Sequence, residues 1–66
     1  MTTEELLATL ASNSDLPRLV ARVDREELPW VLVPDAAVKK WERRDPAGWA
    51  KASMWFAARR VAIVRI

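Results

Sequence analysis

Lys51, Trp55 and Arg59 recur at intervals of four residues in the C-terminal half of the chain. On a helix, this spacing places the indole between two cations along one stripe. Such a stripe could contact nucleic acid or an acidic protein, because aromatic rings stack on bases and attract cations. The alternative is that Trp55 lies at the edge of the core, covered by the aliphatic stems of the two cations. The residue pattern favours the core position of Trp55 without excluding the binding stripe.

Three residue types that are common in active sites are missing from the chain. It has no histidine, cysteine or tyrosine, and its single glycine is Gly48. Without histidine there is no obvious general base near neutral pH, and Ser12, Ser14 and Ser53 have no histidine to activate them. One glycine cannot build a glycine-rich phosphate loop, and the usual zinc ligands are absent. We therefore expect a protein that is not an enzyme and that uses no metal or other cofactor.

Length and charge set further bounds. A chain of 66 residues makes one domain, spanning residues 1–66, and domains of this size bury only about 60% of their unfolded surface. Disulfides are excluded, so oligomerisation is the remaining way to enlarge the core. Residues 1–33 carry three basic and six acidic residues (net −3), whereas residues 34–66 carry eight basic and three acidic residues (net +5). This asymmetry predicts either an acidic partner for the C-terminal half or two halves that complement each other, within one chain or across a dimer.

The hydrophobic pattern predicts a small, mostly helical α+β domain with a minimal two-stranded sheet. Leu16, Leu19, Val20 and Val23 have the spacing of an amphipathic helix. "WVLV" between two prolines and the β-branched "RVAIVRI" are typical of strands. The predicted order is α-α-β-α-α-β, with helices at 2–11, about 15–26, 35–44 and about 46–59, and strands at 30–33 and 60–66.

Two strands alone are barely stable in water, and both faces of the last strand are largely apolar. An unpaired strand edge also invites a second chain. A homodimer that joins such strands, or packs helices together, would enlarge the thin core. The predicted dimer or core face consists of Trp49, Met54, Phe56, Val61 and Ile63.

The segment "VKKWE", residues 38–42, resembles the recognition helix of repressor-type helix-turn-helix proteins. This resemblance implies that residues 26–32 form the first helix of the motif and that residues 35–44 enter the major groove of DNA. The chain departs from the pattern at three positions. Leu32 takes the turn position that usually holds glycine, Leu28 takes the place of a small residue in the first helix, and Pro29 would lie inside that first helix. The contacts that the resemblance implies to bases or phosphates are Lys39, Lys40 and Arg43.

These observations predict a small cytoplasmic regulator or inhibitor that acts through protein–protein contact, with no membrane association. Short, cysteine-free chains of this type are often encoded by phages or mobile elements. The expected partner is a host or cellular protein that is acidic at the contact. A DNA-binding regulator with a degenerate helix-turn-helix at about 26–44 is the alternative. The predicted partner-binding residues are Trp41, Arg43, Arg44, Lys51, Trp55 and Arg59.

Overall fold

The computed structural model describes residues 2–10 and 13–66 and confirms the predicted α+β fold class and element order. The first helix is shorter than expected, because Leu10 already has extended backbone geometry. The predicted end of that helix, residue 11, lies outside the described residues. The elements are α1 (Thr3–Thr9), α2 (Leu16–Glu26), β1 (Trp30–Val33), α3 (Asp35–Arg44), α4 (Pro46–Ala58) and β2 (Ala62–Arg65).

Side-chain caps fix the start of two helices. The Thr2 hydroxyl accepts a hydrogen bond from the Glu5 amide at 3.2 Å, and the Glu5 carboxylate accepts one from the Thr2 amide at 3.2 Å. This reciprocal pair is a capping box at the start of α1. Asp45 caps α4 by accepting a hydrogen bond from the Gly48 amide at 3.0 Å. A Cβ atom at Gly48 would collide with the Asp45 carboxylate, so glycine leaves room for the cap.

The two strands run parallel, with Trp30 opposite Ala62 and Leu32 opposite Val64. A parallel pair needs a crossover connection, and α3 and α4 supply it. Side chains alternate along each strand, so Val31 and Val33 point into the core while Trp30 and Leu32 point outwards. One face of the sheet therefore helps to form the core, and the other does not.

The core draws on all four helices and β1, and the partly buried Ile63 of β2 packs against it. α4 contributes Ala52, Trp55 and Phe56, and the Trp55 and Phe56 rings meet edge to face with centroids 5.2 Å apart. No polar or charged residue is buried in the described part of the chain, which avoids the cost of desolvating a charge. The buried residues are Leu6, Leu10, Leu16, Val20, Val23, Val31, Val33, Val38, Trp41, Ala52, Trp55 and Phe56.

A residue with left-handed backbone geometry precedes each strand. Glu27 ends α2 with φ 51°, and Arg60 follows α4 with φ 57°. After α4, the Val61 amide donates to the Phe56 carbonyl at 2.9 Å and the Arg60 amide donates to the Ala57 carbonyl at 3.1 Å. This is the Schellman arrangement, which normally places glycine in the left-handed position. Charged residues occupy both positions here, although glycine would adopt this geometry at lower cost.

Candidate protein-binding surfaces

The stripe of Lys51, Trp55 and Arg59 is present, but its tryptophan belongs to the core. Trp55 is only 5% exposed. The Arg59 guanidinium lies 4.3 Å from the centre of the Trp55 ring and covers it, a distance at which cation and ring attract. The indole Nε1 of Trp55 is buried with no hydrogen-bond partner in the described part of the structure. Trp55 is therefore a core residue, in agreement with the alternative in which it lies at the edge of the core.

The same stripe lines a groove on the solvent side of α4. This groove, called here the α4 groove, has a volume of about 480 Å³. Met54 forms one of its walls, with 73% of the residue accessible to solvent. Ala50 and Ala57, on the same side of the helix, are also exposed, so the apolar outer surface of α4 is left uncovered. The residues lining the α4 groove are Lys51, Met54, Trp55, Ala58 and Arg59.

The two cations of the α4 groove differ in their electrostatic environment. Arg59 forms an ion pair with Asp24 at 2.5 Å and donates a hydrogen bond to the Thr3 hydroxyl at 3.1 Å. Thr3 also donates to the Asp24 carboxylate at 3.0 Å, so this cluster links α1, α2 and the end of α4. Lys51 has no ion pair with any described residue. The positive charge that the groove offers to a partner therefore comes mainly from Lys51.

The other predicted partner-binding residues lie away from the α4 groove. Trp41 is 6% exposed and packs against Trp49, with ring centroids 5.6 Å apart. Arg43 and Arg44 are exposed on α3 and do not line the groove. The structure thus brings Lys51, Trp55 and Arg59 together and separates them from the predicted residues of α3.

The predicted dimer or core face divides in the same way. Phe56 is 1% exposed and belongs to the core. Trp49, Val61 and Ile63 are partly buried and pack against it. Met54 alone in this set is fully on the surface, because it points to the opposite side of α4 from Phe56.

The first helix implied by the helix-turn-helix resemblance is wrong. Residues 26–32 contain the last residue of α2, a left-handed turn at Glu27 and the first three residues of β1. Pro29 explains the difference, because proline removes an amide donor and disfavours helical geometry in the residue before it. The helix at 35–44 is present as α3. Its basic residues are exposed, and Lys39 pairs with Asp35 at 3.2 Å whereas Lys40, Arg43 and Arg44 make no ion pair with the described residues.

Asp35, the first residue of α3, binds two cations instead of capping the helix. The residue before α3 is Pro34, and no side chain caps this helix. Hydrogen bonds from Lys39 and then from Arg65, the latter at 2.6 Å, hold the pKa of the Asp35 carboxyl below its ordinary value. A lowered pKa stabilises the fold above the ordinary pKa, and this contribution is lost as the pH falls through the lowered one. The ion pair between Asp35 and Arg65 connects the end of β2 to the start of α3. Solvent screens this pair, because the Asp35 side chain is 42% exposed.

Residue patterns missed a second apolar surface, called here the outer sheet face. Trp30 and Leu32 on β1 are 54% and 55% exposed, and Val64 and Ile66 at the C-terminal strand are 42% and 69% exposed. The signal for this surface was the apolar character of both faces of the two strands. In other parallel sheets, strands that are apolar on both faces are normally buried on both, but this fold covers only one of them. The residues of the outer sheet face are Trp30, Leu32, Ala62, Val64 and Ile66.

Comparisons with known proteins assign no family. No protein-family model matches the chain, and no curated protein or solved structure gives a significant match. Within residues 2–10 and 13–66, no helix is long and apolar enough to cross a membrane. The same residues contain no cluster of three or more potential metal ligands. The function must therefore be argued from the two surfaces and the charges around them.

Proposed function

We propose that this protein is a small, non-enzymatic regulator or inhibitor that acts by binding another protein through the α4 groove. The observation that carries the proposal is the uncovered apolar groove of about 480 Å³ beside the exposed Met54. Protein interfaces are enriched in methionine, aromatic residues and arginine. Methionine also adapts its shape to an incoming side chain. A groove with these walls suits an apolar side chain presented by a partner.

The charge of the groove defines the second property of the partner. Asp24 already neutralises Arg59, so an acidic group on the partner would pair with Lys51. An amphipathic helix that places one apolar residue and one acidic residue on the same face satisfies both requirements. The acidic residue would fix the orientation of the helix, and the apolar residue would supply most of the affinity.

A pull-down with matched variants tests this assignment. We expect the tagged wild-type protein to retain one dominant protein from its native lysate after nuclease treatment. Lys51→Glu and Met54→Asp should each lower the recovery at least about tenfold. The first reverses the charge that pairs with the partner, and the second places a charge in the apolar wall of the groove. Arg18→Glu is the control, since Arg18 is exposed on α2 and the substitution changes the net charge as Lys51→Glu does.

Circular dichroism should show that all the variants remain folded. Equal recovery by wild type, Lys51→Glu and Met54→Asp would place the contact elsewhere and contradict the proposal. Equal loss with Arg18→Glu would show that overall charge, not the groove, controls binding.

A DNA-binding regulator is the second candidate, favoured by the exposed and unpaired cations of α3. Lys40, Arg43 and Arg44 share the outward side of this helix, and Lys39 lies beside them. If they contact phosphates, replacing Lys40 and Arg43 with alanine should reduce the slope of log affinity against log salt concentration by about 2. Replacing Arg18 and Arg25 should leave the slope unchanged. Fluorescence anisotropy with a labelled duplex measures both slopes, and the absence of any salt-dependent binding by wild type excludes this candidate.

A further inference from the structure

We propose that a second copy of this chain packs on the outer sheet face, related by a two-fold axis that runs along the strands. Parallel sheets occur almost only where both faces are covered, and their strands are therefore apolar on both sides. Here the two-stranded parallel sheet has one face in the core and the other exposed to solvent. The uncovered face is the part of this fold that most needs a partner.

The area of the outer sheet face suits the centre of a dimer interface. Its five side chains expose apolar surface on the order of 400 Å², the size of a patch that a monomer normally keeps for binding. None of the five carries a charge. A stable dimer buries about 800 Å² on each partner, which is less than a fifth of the 4543 Å² surface of this chain. The outer sheet face with a surrounding rim would supply that area.

The strand register makes the outer sheet face complementary to itself. Trp30 lies beside Ala62 across the parallel pair, and Leu32 lies beside Val64. A two-fold axis along the strands places β1 of one copy over β2 of the other. The largest side chain of the face, Trp30, then lies over the smallest, Ala62, of the second copy. Two sheets that stack face to face in this aligned manner form a sandwich.

The charges at one end of the sheet are also complementary under this symmetry. Glu27 precedes β1 and Arg60 precedes β2, so both lie at the same end of the parallel pair. Both are exposed, and neither forms an ion pair within the described regions of the chain. The same two-fold axis brings Glu27 of one copy towards Arg60 of the other. This role explains why charged residues occupy two left-handed positions that favour glycine.

Sedimentation equilibrium of the full chain, from low micromolar to near-millimolar concentration, tests the proposal. We expect a concentration-dependent species of twice the 7.5 kDa chain mass. Trp30→Asp should raise the dimer dissociation constant at least about thirtyfold, because a central aromatic anchor is lost and a charge is buried. Ala47→Asp is the control, since Ala47 is exposed in the first turn of α4 and lies outside the outer sheet face.

A charge swap tests the symmetry. Glu27→Arg and Arg60→Glu should each weaken the dimer, and the double variant should restore it, because the two charges exchange places across the axis. A wild-type chain that stays monomeric throughout, or a dimer that Trp30→Asp does not weaken, overturns the proposal. A double variant that remains as weak as the singles overturns the assigned axis.

The dimer goes beyond the proposed function and does not depend on it. The α4 groove and the outer sheet face share no residue. Loss of partner recovery with Lys51→Glu leaves the sedimentation result unchanged, so failure of either proposal can be recognised separately.

Discussion

Trp55→Ala should leave the domain with little of its stability, whereas Trp55→Phe should fold with nearly wild-type stability. Trp55 is 5% exposed and packs edge to face on Phe56. Truncating a buried tryptophan to alanine lowers the free energy of unfolding by about 3–5 kcal/mol. Small domains of this size have a total of only about 5 kcal/mol available. The truncation therefore removes most of the stability of the fold.

Trp55→Phe separates the volume of the side chain from its polar atom. Phenylalanine fills less of the site and loses part of the contact with Arg59, which lies 4.3 Å from the indole centre. It also removes the buried Nε1–H group that has no hydrogen-bond partner in the described structure. Leaving such a donor unsatisfied costs about 1–3 kcal/mol. The two effects oppose each other, so we expect a net change below about 1 kcal/mol.

Urea titrations followed by far-ultraviolet circular dichroism measure these differences. Met54→Ala is the matched control, because Met54 is the neighbouring residue on α4 and is 73% exposed. Its change should stay within about 0.5 kcal/mol. A Trp55→Ala chain as stable as Met54→Ala would mean that Trp55 is not part of the core.

Leu6→Ala should detach α1 from the domain. Leu6 is completely buried and is the one buried residue within this seven-residue helix. A helix this short is not stable alone, so its structure depends on contact with α2 and α4. The truncation should lower the free energy of unfolding by about 2–5 kcal/mol. Undocking would also break the hydrogen bonds that join Thr3 to Asp24 and Arg59.

Hydrogen exchange distinguishes local undocking from global unfolding. In Leu6→Ala, the amides of α1 should lose protection first, while those of α4 exchange only by the slower global route. Glu4→Ala is the control on the same helix, since Glu4 is exposed and outside the capping box. Unchanged protection of α1 in Leu6→Ala would show that other contacts hold this helix in place.

Local signals in the sequence predicted the elements of this fold because each signal acts over a few residues. The capping box of Thr2 and Glu5 fixes the start of α1, and Asp45 with Pro46 fixes the start of α4. Pro29 prevents the helix that the resemblance to helix-turn-helix proteins requires, so the local effect of proline was the better predictor here. The ion pairs of Asp35 do not follow from local signals alone. Its carboxylate binds Arg65, which is thirty residues away, and no local pattern contains that contact.

The candidate surfaces were less predictable than the elements. The spacing of Lys51, Trp55 and Arg59 correctly placed them on one stripe of α4, but the spacing cannot tell which side of an apolar helix faces the core. Burial of Trp55 and exposure of Met54 follow from where α1, α3 and β2 pack against α4. The outer sheet face was missed for the same reason. "WVLV" is apolar on both sides, so no polar residue shows which side of the strand faces solvent.

The sequence by itself determined the types and order of the elements, the absence of common catalytic residue types and the asymmetry of charge. These properties depend on composition and on interactions between near neighbours. Only the tertiary structure decided that the strands are parallel, that Trp41 and Trp55 are buried, and that Trp30, Leu32, Val64 and Ile66 are exposed. Burial is a property of packing between distant segments. In a chain with more apolar side chains than its core can cover, packing decides which of them remain available to a partner.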